Sequence, residues 1–521
     1  MNNEQLETIQ QDYLDGNYLD VIFATEDLLK VDSSDPNLWN LKGISEFALN
    51  DYEAAISSFK SGIEGNPIKE GIRNNLAKVY FKINDIGSAL SVYEELVRID
   101  PSNIEYSFEC VKCYLKINNH SKALSYLNIC KKISPHDEKV LLAESACLTQ
   151  IGKFEDSINI SKNLIKINPK NYDAINNLAT NYISLKEFDK ALGIFNKYFD
   201  NDHSIFEVYN NLGITYEGLN DLNKAEENYR KAMSIKVDNI EVNYNLGNIL
   251  IATQREREAL IHLAKGGYRG RVKAPEILYN IDDIDGFKGY IERIKVKIPF
   301  DRRIAAISNF YSEQYDDINP YPWCPEPIKL LHKTNISKAL SKELFDYKTI
   351  ILETNVLDEE FEPLDMTTTN GFQTNGNLFN LDSANVKILK EVILNELENY
   401  KIINQNIDIP FIKNWPKDFF INGWRVRLLK QGKQEFHIHG KAWCSGVFYL
   451  NIPRNLKINE GAIEFGLYGF DYRLKKNKTV TEIYMPSMGD LVLFPSALFH
   501  RTIPFDSHDE RVCIAFDIIP K

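Results

Sequence analysis

Long apolar runs are missing from this sequence. Nowhere do eighteen apolar residues follow one another, so no helix that crosses a membrane is expected. The opening stretch MNNEQLETIQQDYLDGNY has neither a basic flank nor an apolar core. A secretory leader is therefore not expected, and a soluble cytoplasmic chain is. Cysteine is scarce. Cys110, Cys113, Cys130, Cys147, Cys324, Cys444 and Cys513 are odd in number and scattered, which excludes a disulfide framework and fits reduced thiols. Cys110 and Cys113 form a C-x-x-C without a second pair, so they read as structural rather than zinc-binding or redox residues. Positive charge is not in excess either. With 61 basic against 73 acidic side chains the net charge is −12. The molecule as a whole is repelled by phosphate backbones and anionic lipid, and neither nucleic acid nor membrane is expected as a partner.

What is present is a globular composition, 44% hydrophobic and 26% charged, which excludes a mostly disordered chain. At 521 residues more than one domain is expected. Prolines recur at Pro67, Pro101, Pro135 and Pro169, always 34 residues apart. A pattern returns with them, most fully as Tyr209, Leu212, Gly213, Tyr216, Ala225, Tyr229 and Ala232, and again as Ile175, Leu178, Ala179, Tyr182, Ala191, Phe195 and Tyr198. Small residues at such positions let two antiparallel helices touch, and the aromatics fill the groove to the next hairpin. The pattern resembles the tetratricopeptide repeat, with about eight copies over residues 1–268, an opening copy at 2–35 being divergent. That resemblance implies an α-solenoid that holds peptides or proteins. Asn75, Asn177, Asn211 and Asn245 each stand one residue before the Leu of the pattern, on the first helix of their repeats. An amide can donate to and accept from an extended backbone, so these four are candidate peptide-binding residues. The arrangement is similar to the asparagine ladder of the O-GlcNAc transferases. Glu109 and Ala143 interrupt it.

After Gly266 the period fails. GGYRGRVKAP and INPYPWCPEP read as turns and irregular chain, a connector at 269–340. It carries a basic cluster, Arg269, Arg271, Lys273, Arg293, Lys295, Lys297, Arg302 and Arg303, that either faces water or meets an acidic partner. Residues 341–521 change character to short apolar or alternating runs such as WRVRLLK, CSGVFYLNIP, DLVLFP and RVCIAFDII, which read as strands supported by one amphipathic helix near 383–404. The expected fold class is multidomain α + β, an N-terminal α-solenoid followed by a C-terminal β-sandwich or barrel.

The strongest chemical signal is QEFHIHG at 434–440, followed by GDLVLFPSALFH ending at His500. Residues i and i+2 of a strand share a face, so His437 and His439 project together, and His500 from a distant strand can complete a metal site with one side open. Arg511 opens another apolar strand, where its guanidinium can meet a carboxylate in the same barrel. Together with Trp424, Gly432, SGVFYL at 445–450, GDLVLFPS at 489–496 and the upstream TTTNGFQTNGNLFN at 367–380, these residues resemble the double-stranded β-helix (jelly-roll) oxygenases that use Fe(II) and 2-oxoglutarate. The resemblance covers 341–521.

It implies His437 and His500 as iron ligands, Arg511 as the anchor for the 2-oxoglutarate C5 carboxylate, O2 as the oxidant, and hydroxylation of an unactivated C–H bond. Two positions depart from the family pattern. Most members carry His-x-Asp or His-x-Glu where this chain has His439. The third ligand is then His439 itself, or Glu435 on the same face, or water with His439 behind it. Cys513 stands where many relatives have Ser, so the hydroxyl beside Arg511 would come from Tyr449 or Ser445. The expected function is hydroxylation of a peptide or protein held by the repeats, an arrangement similar to that of the collagen prolyl hydroxylases. The alternatives are a cupin-like metal dioxygenase that does not use 2-oxoglutarate and a non-catalytic scaffold with a degenerate barrel.

Overall fold

The computed structural model describes residues 3–66, 70–199, 205–342, 345–363 and 367–521. Pro67, and Asn2 at the start of the opening repeat, lie outside the described residues. Contacts divide the chain into two compact units, 1–237 and 238–521.

The first unit is a run of helix hairpins, from Asn3–Leu14 with Tyr18–Leu29 to Phe206–Gly218 with Leu222–Ile235. The period has a backbone cause. Between the two helices of each hairpin one residue is left-handed, at Gly16, Asn50, Asn84, Asn118, Gly152, Lys186 and Asn220, each 34 residues after the last. At most of these turns the next residue, for example Asp51, Asp85, Asn119 or Asp221, caps the second helix with its side chain. Pro101, Pro135 and Pro169 stand two residues past the second helices Ile86–Ile99, His120–Ile133 and Phe154–Ile167, where a missing N–H costs nothing. Close approach requires the small residues, since a Cβ on Gly213 would run into the Tyr229 ring.

The second unit begins with another such hairpin, Ile240–Ala252 and Glu256–Lys265, turning at left-handed Gln254. The sequence pattern reads the following GGYRGRVKAP as turns. The structure has helices there instead, Gly267–Asn280, Ile284–Ile294 and Arg302–Tyr315. The first two form one more hairpin, with Asp282 left-handed and Asp283 as cap. Its signature is disguised because Pro275 and Phe287 occupy the places of Gly213 and Ala225. Pro275 withholds a hydrogen bond from the Arg271 carbonyl, which accepts one from the Tyr290 hydroxyl at 3.3 Å instead.

The rest of this unit is an antiparallel half-barrel of the jelly-roll type. Its strands are β1 (His332–Asn335), β2 (Glu359–Phe361), β3 (Thr368–Thr374), β4 (Phe419–His437), β5 (Cys444–Asn451), β6 (Ile463–Gly466), β7 (Thr481–Tyr484), β8 (Asp490–Pro495), β9 (Phe499–Thr502) and β10 (Arg511–Pro520). They run in the order β1-β8-β5-β10-β4-β9-β6-β7, with β3 also on β4 and β2 on β3. The long strand β4 changes partners along its length, pairing with β10 from Phe419 to Leu428 and with β9 at Gln434 and His437. Left-handed Gln431 and a register shift before His437 allow that bend.

Strand alternation sorts the central strands into two faces. Phe448, Leu450, Leu491, Leu493, Ile514 and Phe516 join the core with helix Ala384–Asn404, while Val447, Tyr449, Val492, Phe494 and Cys513 fill the barrel interior. Both faces are covered, which is why these strands read as continuous apolar runs. Arg511, Cys513, Ala515 and Asp517 share the parity of the inner face of β10. Left-handed Gly489 turns the chain into β8, and any Cβ there would meet Ser337.

Candidate metal centre

His437 ends β4 directly opposite His500 of β9. His439 lies beyond the strand end, where its N–H donates to the Ser496 carbonyl at 3.1 Å. The i, i+2 argument thus runs past the strand, yet the ring still turns inward. Ring centroids are 5.1 Å apart for His437 and His439, 4.3 Å for His437 and His500, and 5.0 Å for His439 and His500. One nitrogen from each lies within 4.8 Å of the others, the one cluster of this kind among the described residues.

The hydrogen bonds fix which nitrogens face each other. Nδ1 of His437 donates to the Glu435 carbonyl at 2.7 Å, Nδ1 of His500 to the Leu498 carbonyl at 3.2 Å, and Nδ1 of His439 to the Asp517 carboxylate at 2.6 Å. Acceptors on every Nδ1 keep the proton there and leave the three Nε2 lone pairs free. Nε2 of His439 is buried with no partner, a costly state unless something binds it. Burial, helped by His439, holds His437 down to about 4, and burial with the other two rings holds His500 well below its ordinary value. Both are neutral near pH 7, the form in which imidazole ligates a metal.

Glu435 is turned elsewhere, its half-exposed carboxylate pairing with Lys433. The nearby carboxylate is Asp517, which the sequence reading missed. Its signal was a lone Asp in an apolar strand with the parity of Arg511. Ser445, expected beside the co-substrate, stands across from Asp517 in the register and donates to it at 2.7 Å, bracing the group that orients His439. Trp424 stacks on His439 with centroids 5.7 Å apart.

Arg511 is buried on the same pocket wall as the three histidines. Nε donates to the Gly461 carbonyl at 3.0 Å and one terminal nitrogen to Cys513 Sγ at 3.6 Å, so the thiol takes the place of the family's hydroxyl. No carboxylate among the described residues pairs with it. The Tyr449 ring lies 4.9 Å from the guanidinium, and its hydroxyl is buried without a partner. Arg425, equally buried, shows the difference. It donates to Glu359, Thr354, Asn355 and the Ile351 carbonyl, with a carboxylate among its partners. The mouth over His437 and His439 is lined by Thr374, Asn375, Asn422 and Gln434, with Trp424 and the Asp517 carboxylate beside the rings.

The asparagines of the repeats are half-buried. Asn75 donates to the Asn40 side-chain carbonyl at 3.0 Å, Asn211 to that of Asn176 at 2.8 Å, and Asn177 to the Ser145 hydroxyl at 3.5 Å. These three amides fasten their repeats to the preceding ones, Asn211 also donating to the Thr180 hydroxyl at 3.3 Å.

Comparison with known proteins matches residues 422–517 to the family described as "Putative 2OG-Fe(II) oxygenase", and residues 71–103 and 174–236 to tetratricopeptide repeat families. No curated protein matches the chain. Similar solved structures include a tetratricopeptide repeat protein from Parabacteroides merdae, 16% identical with a TM-score of 0.38 over 48% of this chain and 98% of that one. The C-terminal part of a repeat protein from Cytophaga hutchinsonii is 15% identical, with a TM-score of 0.37 over 46% and 98%. YrrB, described as a repeat protein with an unusual peptide-binding site, is 18% identical, with a TM-score of 0.29 over 36% and 97%. The chain therefore joins tetratricopeptide repeats to a domain of the 2-oxoglutarate and Fe(II) oxygenase type.

Proposed function

We propose that this protein is an Fe(II)- and 2-oxoglutarate-dependent oxygenase that hydroxylates a peptide or protein held by its repeats. The observation that carries the reading is Arg511, a buried guanidinium that pairs with no carboxylate among the described residues and shares a pocket with three inward Nε2 atoms. The residues fit the missing groups. His437, His439 and His500 would hold Fe(II), and Arg511, with the Tyr449 hydroxyl beside it, would take the distal carboxylate of 2-oxoglutarate. Bound there, iron and 2-oxoglutarate supply the power to place one oxygen atom of O2 into a C–H bond. The chain's own part is to bind and orient. Asp517 holds the proton on His439 Nδ1, and Val447, Ile463 and Phe494 line the inner pocket with apolar surface. Seven free cysteines, all buried, support a reducing, cytoplasmic setting.

The all-histidine ligand set, without a carboxylate, favours the second reading, a metal dioxygenase without 2-oxoglutarate. Arg511 weighs against it and against a retired scaffold, since neither needs a buried cation awaiting an anion. Anaerobic reconstitution with Fe(II), followed by 2-oxoglutarate and O2, should release succinate slowly even without the prime substrate, and His500→Ala should retain no iron and release none. An iron-loaded wild-type chain that forms no succinate would hand the site to one of the other two readings.

A further inference from the structure

Residues 467–480 join β6 to β7 without a helix or strand of their own. A connection this long inside a compact domain is uncommon unless it serves a function. Helices Gly267–Asn280 and Arg302–Tyr315 of the same unit hold it down. The Tyr279 hydroxyl donates to the Arg473 carbonyl at 3.0 Å, and the Arg473 N–H donates to the Asn280 side chain at 3.0 Å. Gln314, 1% exposed, accepts from the N–H groups of Lys475 and Lys476 at 2.9 and 2.7 Å and donates to the Lys478 carbonyl at 3.1 Å. The Val480 N–H donates to Glu313 at 2.7 Å. Bonds from two helices thus stand in for the ladder that this stretch lacks.

Side chains carry the hold inward. The buried Tyr472 ring lies 5.2 Å from that of Phe310 and 5.8 Å from that of Phe499, and its hydroxyl is 3.5 Å from Glu276. Glu276 is itself gripped by Arg303, a member of the basic cluster that faces inward, through bonds of 2.5 and 2.6 Å. The Arg303 guanidinium stands 4.6 Å from the Phe470 ring, which in turn lies 5.0 Å from Phe499. Gly469 allows this approach, since a Cβ there would run into the Phe499 ring. Phe499 is the neighbour of His500 on β9, and alternation sends the first to the outer core and the second into the metal pocket.

Strand β9 needs such support. It runs only from Phe499 to Thr502, meets β4 at Gln434 and His437 with a register shift between them, and has the equally short β6 on its other side. Strands this short have few ladder bonds with which to fix a side chain.

We propose that Tyr472 and Phe470 are positioning residues for the metal. Held by Gln314 and by the Glu276–Arg303 pair, they clamp Phe499 from the outside and so fix the direction of His500 Nε2 on the inside. This rests on the reading that the three histidines hold a metal, and its test reads metal affinity rather than turnover.

Titration of the full chain with Co(II), followed by the visible absorption of the bound ion, measures the clamp. Tyr472→Ala and Gln314→Ala should bind Co(II) on the order of 10- to 100-fold more weakly than wild type, the loss that follows removal of a ligand's support. Tyr472→Phe keeps the ring against Phe499 and should bind as wild type does. Should Tyr472→Ala fail to melt cooperatively, Phe470→Ala, at an exposed position, should show a loss in the same direction. Variants that melt earlier than wild type yet bind Co(II) as tightly while folded would reduce the clamp to packing and overturn the proposal. Wild type that takes up no Co(II) would overturn the metal reading itself, so the two failures are distinct.

Discussion

Two buried arginines in one barrel allow a direct comparison. Arg425 and Arg511 are 2% and 1% exposed. Arg425 reaches Glu359 from two nitrogens and three neutral acceptors besides, whereas Arg511 has one carbonyl and one thiol. Replacing Arg425 with Met takes from Glu359 one of its two arginines, Arg427 keeping the other oxygen, and takes the donor from Thr354, Asn355 and the Ile351 carbonyl, which together costs about 3–5 kcal/mol. Replacing Arg511 with Met leaves the Gly461 carbonyl unpaired, a cost of about 1–3 kcal/mol, but it also removes a desolvated charge with a penalty of several kcal/mol. The two nearly cancel, so Arg511→Met should stay within about 1 kcal/mol of wild type in the ligand-free state. At about 2–4 °C per kcal/mol the melting temperature of Arg425→Met should fall by about 6–20 °C and that of Arg511→Met by a few degrees at most. Adding 2-oxoglutarate anaerobically with Fe(II) should then raise the melting temperature of wild type and not that of Arg511→Met. At a hundred times Kd the ligand is worth about 2.7 kcal/mol. Differential scanning fluorimetry reads both effects. If Arg511→Met melts as early as Arg425→Met, Arg511 is a structural cation and the case for a co-substrate anchor fails.

Metal-free protein should lose stability as pH falls from 6.5 towards 4. His437 and His500 are held below the ordinary imidazole value, so the unfolded chain binds more protons than the folded one in that window, and stability rises with pH across it. Urea melts with equal midpoints at pH 7 and pH 5 would contradict the burial of these rings. A fragment of residues 238–521 should release succinate without substrate, while one starting at 269 should not fold, because Gly270 packs against the Leu263 backbone and Lys273 against Asn248. A folded, active 269–521 fragment would refute that boundary. Replacing Asn177 and Asn211 together with Ala should lower the stability of the repeats by about 1–4 kcal/mol, from three hydrogen bonds between repeats, and weaken turnover of the target while sparing uncoupled succinate release. Unchanged melting and unchanged target turnover would mean that these amides face water.

The repeats were legible because their cause is local. A left-handed turn, a capping Asp or Asn and a pair of small residues recur at fixed offsets, and each leaves a letter in the sequence. The hairpin at 267–294 escaped because Pro275 and Phe287 overwrote the small positions, although Asp282, Asp283 and Ile284 repeat the turn of Asn84, Asp85 and Ile86. His437, His500 and Arg511 were legible because each stands at or next to the end of a strand. Asp517 was not, since its role depends on the register that sets it opposite Ser445 and on a loop that brings back His439. Long-range pairing of that kind leaves no periodic trace.

The carboxylate nearest the three histidines stands one hydrogen bond outside them. Where relatives carry Asp after His-x, this chain has His439, and Asp517 holds its Nδ1 at 2.6 Å. The two oxygens of an Asp branch from the same carbon as Nδ1 of a His, so His439→Asp would set one oxygen close to where Nδ1 now lies, against Asp517. Two carboxylates in such contact cannot both ionise near neutral pH, and one would keep a proton that competes with metal. Restoring the family residue should therefore weaken Fe(II) binding, on the order of the 10- to 100-fold that follows loss of a supporting partner. His439→Asp combined with Asp517→Asn removes the repulsion and supplies an amide donor, and should bind Fe(II) more tightly than His439→Asp alone. Anaerobic titration with Fe(II) distinguishes these cases. If His439→Asp by itself bound iron as tightly as wild type, Asp517 would have no hold on the ligand at position 439, and the arrangement of Ser445, Asp517 and His439 would be packing rather than support for a metal.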